Sequence, residues 1–180
     1  MVKTTTTEKQ PAKKEAETKV ESKTLKEKKV SKKVDTTTST KVAVILVRGL
    51  VGVRAGIKDT LLLMRLTRKN NCVVLENNAI TRGMLQKVKD YVTWGEIDDA
   101  TYTKLIKERG EEYKGRTQDS KGKYTYNRFI ELDGKNYKKM IKLNPPKKGF
   151  GRKGIKVPFS MGGALGKRGV KINDLIERML

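Results

Sequence analysis

Histidine is absent from this 180-residue chain, and cysteine occurs once, at Cys72. A single thiol cannot close an internal disulfide, which points to a reducing compartment. Without imidazole, and with one thiol, zinc fingers, zinc knuckles and Cys–His or Ser–His nucleophile systems are excluded. No apolar run reaches the roughly 18 residues that a membrane helix needs. The N-terminus lacks an apolar signal core. The expectation is a soluble, cytosolic protein. The most informative absence is local. From Gly134 to Asn173 there is no Asp or Glu, while twelve Lys or Arg residues, eight glycines and three prolines occur there.

The formal net charge is +22 and the isoelectric point about 10.1. By segment, residues 1–40 carry +5, residues 41–133 carry +6, residues 134–173 carry +12 and the last seven residues −1. More than half of the excess therefore sits in under a quarter of the chain. Such a stretch is expected not to offset its own repulsion by folding alone. It needs a dense polyanion beside it, and nucleic acid is the commonest one in a cell.

Residues 1–40 are rich in Lys, Thr, Glu and Ser, have no aromatics, and read as a disordered basic tail. At Lys41 the composition changes. Val42 to Val47 is a continuous apolar run that suits a buried central strand. Arg48 to Gly56 is a glycine-punctuated loop. Asp59 is the expected cap of a helix through Leu61, Met64 and Leu66. Cys72 to Leu75 reads as a second strand. Thr81 is the expected cap of a second helix carrying Met84, Leu85 and Val88. Tyr91 to Trp94 reads as a third strand, ended by Gly95. The order is β-α-β-α-β, over residues 41–95. Asp98 and Asp99 open a further helix that Gly110 stops. Residues 111–125 read as loop, and Tyr137 to Leu143 as one more strand. Residues 147–169 are basic and glycine-rich with little periodicity. Ile172 to Leu180 closes as a short amphipathic helix, with Ile172, Leu175, Ile176 and Met179 on one face. Residues 96–180 as a whole read as a helical and RNA-threading extension wrapped on the core.

Nucleotide-binding loops are absent. The first loop has Gly56 followed by Ile57, and Lys58 by Asp59, so a phosphate-cradling G-x-x-x-x-G-K-[ST] pattern fails. Gly49-Leu50-Val51-Gly52 matches the G-x-x-G of a KH domain, but that motif joins two helices and here it follows a strand. The Asp98-Asp99 carboxylates suit a helix N-terminus. As neighbours on a helix they do not face each other, so no catalytic dyad forms. Cys72 reads as a small core residue. Trp94 either packs or stacks on a base.

The cations divide in two. Lys104, Lys107 and Arg109 alternate with acids around a helix, which is a solvated pattern. Arg48, Arg54, Arg82 and the cluster Lys147, Lys148, Arg152, Lys153 and Lys156 lie near glycines. Glycine lets a backbone approach a phosphate closely. Together with Lys167 and Arg168 these are the candidate RNA-binding residues. Phe159, inside the basic stretch, either stacks on a base or pins the segment to the core. No catalytic, cofactor or metal residues are expected.

Several motifs carry a family resemblance. They are Val47-Arg48-Gly49, Ala79-Ile80-Thr81-Arg82-Gly83-Met84 and Val92-Thr93-Trp94-Gly95-Glu96. Further along come Leu143-Asn144-Pro145-Pro146-Lys147-Lys148-Gly149, Pro158 to Gly166, and Ile172 to Leu180. In this order, over most of residues 41–180, the chain resembles large-subunit ribosomal proteins of the L-thirty family, archaeal type, whose eukaryotic relative is L-seven. The tail 1–40 has no match, and residues 111–136 match poorly and look shortened. The resemblance implies an α+β fold: a β-α-β-α-β core with a three-stranded antiparallel sheet and helices on one face, ferredoxin-like, plus an extended basic C-terminal segment. The strand–helix alternation alone suggests a parallel sheet instead. The resemblance also implies a role without catalysis in the large subunit. Its partners would be large-subunit ribosomal RNA, 5S RNA and neighbouring ribosomal proteins. The rival reading of composition is a basic chromatin or other DNA-binding protein, but no helix shows a recognition-helix pattern. An RNA-dependent enzyme is the other rival, and no convergent acid–base set supports it.

Overall fold

The computed structural model describes residues 41–180, so the tail expected to be disordered lies outside the described residues. Strand β1 (Lys41–Leu46) is the axis of the fold, and Val42 to Leu46 are all buried. It pairs antiparallel with β2 (Asn71–Glu76) on one side and with β3 (Val92–Glu96) on the other. Side chains alternate across a strand, so β1 feeds two cores. Val42, Val44 and Leu46 join Val73 and Val92 on one face. There they meet Leu61 of α1 (Ala55–Leu63) and Leu85 of α2 (Ala79–Lys87). Ala43 and Ile45 join Cys72 on the other face. There they meet Leu105 and Ile106 of α3 (Asp99–Arg109) and Ile172, Leu175 and Ile176 of α4 (Ile172–Glu177). The unbroken apolar run of β1 follows from this double coverage. Burial on all sides also pushes the Cys72 thiol up to about 12, which makes it inert at neutral pH.

Two expectations need correcting. The helices cover both faces of the sheet, and the sheet has five strands where three were expected. The antiparallel pairing of the three central strands is as the resemblance implies. The additions come from the later half of the chain. Strand β6 (Met140–Lys142) pairs antiparallel with β2, and β7 (Gly166–Lys167) pairs parallel with β3. Both edges of the central strands are thereby covered, which satisfies backbone groups that an open edge leaves unpaired. Strand β6 lies within the stretch read as a strand at Tyr137 to Leu143, whereas the two residues of β7 carry too little pattern to be read from sequence.

Local boundaries also shift. Helix α1 starts at Ala55, so Asp59 lies inside it, and the chain turns off at Arg65 with φ 61°. Helix α2 starts at Ala79 after Asn78, and Thr81 is a buried residue of its first turn. Gly95 is inside β3 and does not end it. Asp98 and Gly110 flank α3 as expected. Tyr137 to Leu143 divides between two sheets: β5 (Lys135–Lys138) pairs with β4 (Phe129–Leu132), while β6 joins the main sheet. The β4–β5 turn is Asp133-Gly134, with φ of 52° and 73°. Two left-handed residues joining antiparallel strands are what an Asp-Gly hairpin turn requires, so this hairpin was readable in the sequence.

Glu111 ties the β5–β6 region to the end of α3. Lys138 donates to it at 2.7 Å and Lys142 at 2.9 Å. These two hydrogen bonds, Lys138 first, hold its carboxyl at about 2, below the ordinary 4.5. A lowered folded-state value stabilises above the unfolded value and is lost as pH falls through the folded one. The tie is therefore expected to be intact above pH 4.5 and lost as pH drops through about 2. An NMR titration of the Glu111 carboxyl checks this, and a midpoint in the ordinary range would contradict it. Gly95 offers a second test. A Cβ there would run into the Gly169 carbonyl oxygen and the Ile172 side chain. Gly95→Ala is expected to destabilise the fold by at least about 1–3 kcal/mol in denaturant melts, as overpacking does.

Candidate nucleic-acid interface

The basic segment 147–169 is not an unstructured thread. Its near end is tied to the C-terminal helix: Lys147 N–H donates to the Arg178 carbonyl at 2.9 Å. The Arg178 guanidinium donates back to the carbonyls of Lys147 and Gly149, at 3.3 and 3.1 Å. In its middle the chain doubles on itself. Ala164 and Leu165 N–H both donate to the Val157 carbonyl, and Phe159 N–H donates to the Leu165 carbonyl. Gly163 makes this approach possible, because a Cβ there would strike the Val157 carbonyl. Ala164 and Leu165 are buried against Val47. The far end enters the main sheet as β7.

Arg168 closes the arrangement. Its backbone N–H donates to the Trp94 carbonyl at 2.7 Å. Its Nε donates to the Thr93 hydroxyl at 3.2 Å, and that hydroxyl donates to the Gly166 carbonyl at 3.1 Å. Its Nη2 reaches the carbonyls of Phe150 at 3.0 Å and Ala164 at 3.4 Å. The guanidinium carbon lies 4.4 Å from the Phe159 ring centroid. Burial, then the nearby Arg178, lowers its pKa, and Asp174 opposes them. The segment expected to thread along RNA is thus bonded to itself, to the sheet edge and to the C-terminal helix. One buried guanidinium, satisfied by three protein acceptors and an aromatic face, holds loop, sheet edge and core together. Phe159 is half-buried and serves as its platform.

Six of the other candidate cations border three clefts around the β3–β7 edge. Lys148 and Arg152 line one of about 550 Å³ with Lys171 and Arg178, where Asp174 is the one acid in the lining. Arg48 and Lys156 line another, of about 430 Å³, with Lys89. Arg48 lies over the Tyr91 ring at 4.9 Å and donates to the Asp90 carbonyl at 3.1 Å. Arg82 and Lys167 line the third, of about 320 Å³, with Trp94. The consecutive residues Gly166, Lys167 and Arg168 each border a different cleft. Arg54, Lys147 and Lys153 are exposed but border none of the three. Lys89, Lys171 and Arg178 were not singled out from sequence. Lys89 follows α2 with no glycine near it, so proximity to glycine could not find it. Lys171 belongs to the acid-free stretch, and that count was the signal for it.

Chemically, these clefts can hold anionic oxygens and flat rings. Among the described residues no group of three or more Cys, Asp or Glu could hold a metal ion. No described helix is long and apolar enough to cross a membrane. Removing the Arg168 clasp leaves buried carbonyls without donors. Arg168→Met is expected to destabilise by about 1–3 kcal/mol. It should also speed amide exchange selectively across 150–166, which hydrogen-exchange mass spectrometry would read.

Comparisons with known proteins place the chain in a family. A family model described as Ribosomal protein L30p/L7e matches residues 42–92, from β1 to the first residue of β3. A large ribosomal subunit protein uL30 from Methanopyrus kandleri is 43% identical over 148 residues, covering 74% of this chain and 99% of the relative. The uL30 protein of Nanoarchaeum equitans is 45% identical over 151 residues, covering 77% and 97%. That of Methanococcus vannielii is 43% identical over 151 residues, covering 77% and 98%. Identity at this level over nearly the whole of each relative shows that the chain belongs to the L30p/L7e (uL30) family of large ribosomal subunit proteins, which are structural components and not enzymes.

Proposed function

We propose that the protein stabilises the large subunit by gripping the phosphate backbone of its ribosomal RNA along the β3–β7 edge. As a family member it works in the cytoplasm, within the large subunit, among ribosomal RNA and other ribosomal proteins. The observation that carries the finer reading is convergence. Cations from the first loop, from the turn after α2, from α2 and from the acid-free segment meet around one sheet edge. Phosphate contacts set position and affinity without reading sequence. A prefolded segment also binds without the ordering cost that a disordered arm incurs. The interface comprises Arg48, Arg54, Arg82, Lys147, Lys148, Arg152, Lys153, Lys156 and Lys167, with Phe159 at one cleft. Arg168 acts from inside, by holding the segment in place. A contact to 5S RNA is part of the proposal, on the strength of the family resemblance.

Filter binding to ribosomal RNA across a salt series tests it. With about ten cations engaged, log K should fall against log salt with a slope of several units, and a slope near one would sink the proposal. Replacing Arg152, Lys153 and Lys156 together by Ala should lower that slope by about two to three and weaken binding at least tenfold. Lys104, Lys107 and Lys135 are paired with Glu177, Asp133 and Glu112 and border none of the clefts. Their triple Ala variant should bind almost normally, and equal effects would mean the wrong surface has been chosen. Retention of 5S RNA over an unrelated RNA of the same length checks the 5S contact.

A further inference from the structure

The cleft bordered by Arg82 and Lys167 is the one of the three that holds Trp94 and two side-chain amides. Its wall is apolar, built from Leu85 and the half-buried indole of Trp94, and amides stand around it. Trp94 packs on the Val42–Val44–Leu46 core, yet part of it remains uncovered and borders the cleft. Its indole N–H has no hydrogen-bond partner among the described residues. We propose that this cleft is a receptor for one unpaired nucleobase of RNA, stacked on Trp94. The proposal rests on the RNA-binding reading above and adds to it a site that recognises a base.

Three features support that ligand. The volume, about 320 Å³, lies at the small end of the roughly 300–1,000 Å³ typical of ligand clefts, which suits one base with its sugar. The polar groups beside the apolar wall are mixed donors and acceptors. Asn77 and Gln86 border it together with the Glu96 carboxylate; an amide can serve either side of a base edge, and a carboxylate can accept from a base amino group. The charges are partly pre-positioned. Arg82 Nε donates to Asn77 Oδ1 at 2.8 Å, which fixes the side chain and leaves its two terminal nitrogens without a partner among the described residues. Those nitrogens and the Lys167 ammonium can take the phosphates that flank an extruded nucleotide. A fully paired duplex cannot present such a base, whereas its phosphates can still reach the other two clefts. Unpaired bases stacked on aromatic rings are how single-stranded RNA is commonly recognised.

The chain has a single tryptophan, so its fluorescence reports this cleft alone. The test uses the full chain and two RNA hairpins that differ only by one bulged adenosine, with filter retention measured in parallel. The bulged hairpin should quench Trp94 along its binding curve, and the paired hairpin should bind with little quenching. Trp94→Leu should weaken the bulged hairpin about tenfold and leave the paired one unchanged. Gln86→Ala, at an exposed position of α2, should reduce the preference for the bulge several-fold without touching the core. Bulged RNA retained with Trp94 unquenched, or equal losses on both hairpins, would overturn the base receptor while the phosphate reading stands. Failure of both hairpins to bind would overturn both.

Discussion

A buried guanidinium is costly unless every donor finds an acceptor, and that demand organises the functional half of this protein. Arg168 answers it through Nε and Nη2, which draw together parts of the chain that are far apart in sequence. The Thr93 hydroxyl comes from the middle of the sheet, the Phe150 carbonyl from the start of the basic segment, and the Ala164 carbonyl from its return. The Phe159 ring covers the cation from the loop tip. If these groups moved apart the guanidinium would lie buried and unpaired. The loop, the β7 strand and the β3 edge are therefore held as one unit.

This clasp bears on how so much positive charge sits in one place. Twelve cations without one acid repel each other. The structure offsets part of that repulsion with backbone hydrogen bonds, with the apolar burial of Ala164 and Leu165, and with glycines that let strands of the loop approach closely. Lys135, Lys138 and Lys142 are paired with Glu112 and Glu111, while Lys148, Arg152, Lys156, Lys167 and Lys171 border clefts where a polyanion can neutralise them. On the proposed phosphate contacts, such an arrangement would direct binding energy to affinity and leave little to be spent on ordering the segment.

The central scaffold was legible because burial writes itself into residue type. Val42 to Val47 has to be apolar throughout when both faces of a strand are covered, and Leu61, Leu85 and Leu105 mark the helices that cover it. The Ile172–Met179 stripe is equally plain. Helix starts were less legible. Asp59 and Thr81 look like caps, yet each lies within its helix, because packing against the sheet extends the helices beyond their local signals. The coverage of both faces was missed because α3 and α4 are separated by some sixty residues of loop and short strand, and only their meeting at Ala43, Ile45 and Cys72 reveals the second core.

For the site, composition by itself pointed to a polyanion as the partner and excluded catalysis by imidazole and by Cys–His or Ser–His pairs. It also located the cations, since charge and glycine are properties of residues and not of their arrangement. Only the tertiary structure decided which cation is spent inward. Arg168 and Lys167 are neighbours with the same charge, yet one is buried and the other is exposed. Alternation along β7 and the acceptors facing it separate them, and those acceptors come from residues as distant as Thr93 and Phe150. The same holds for Trp94, whose packing against the core and whose open side depend on what α2 and β7 leave uncovered. Charge is local and can be read along the chain, whereas burial and partnership are set by what the fold brings from elsewhere.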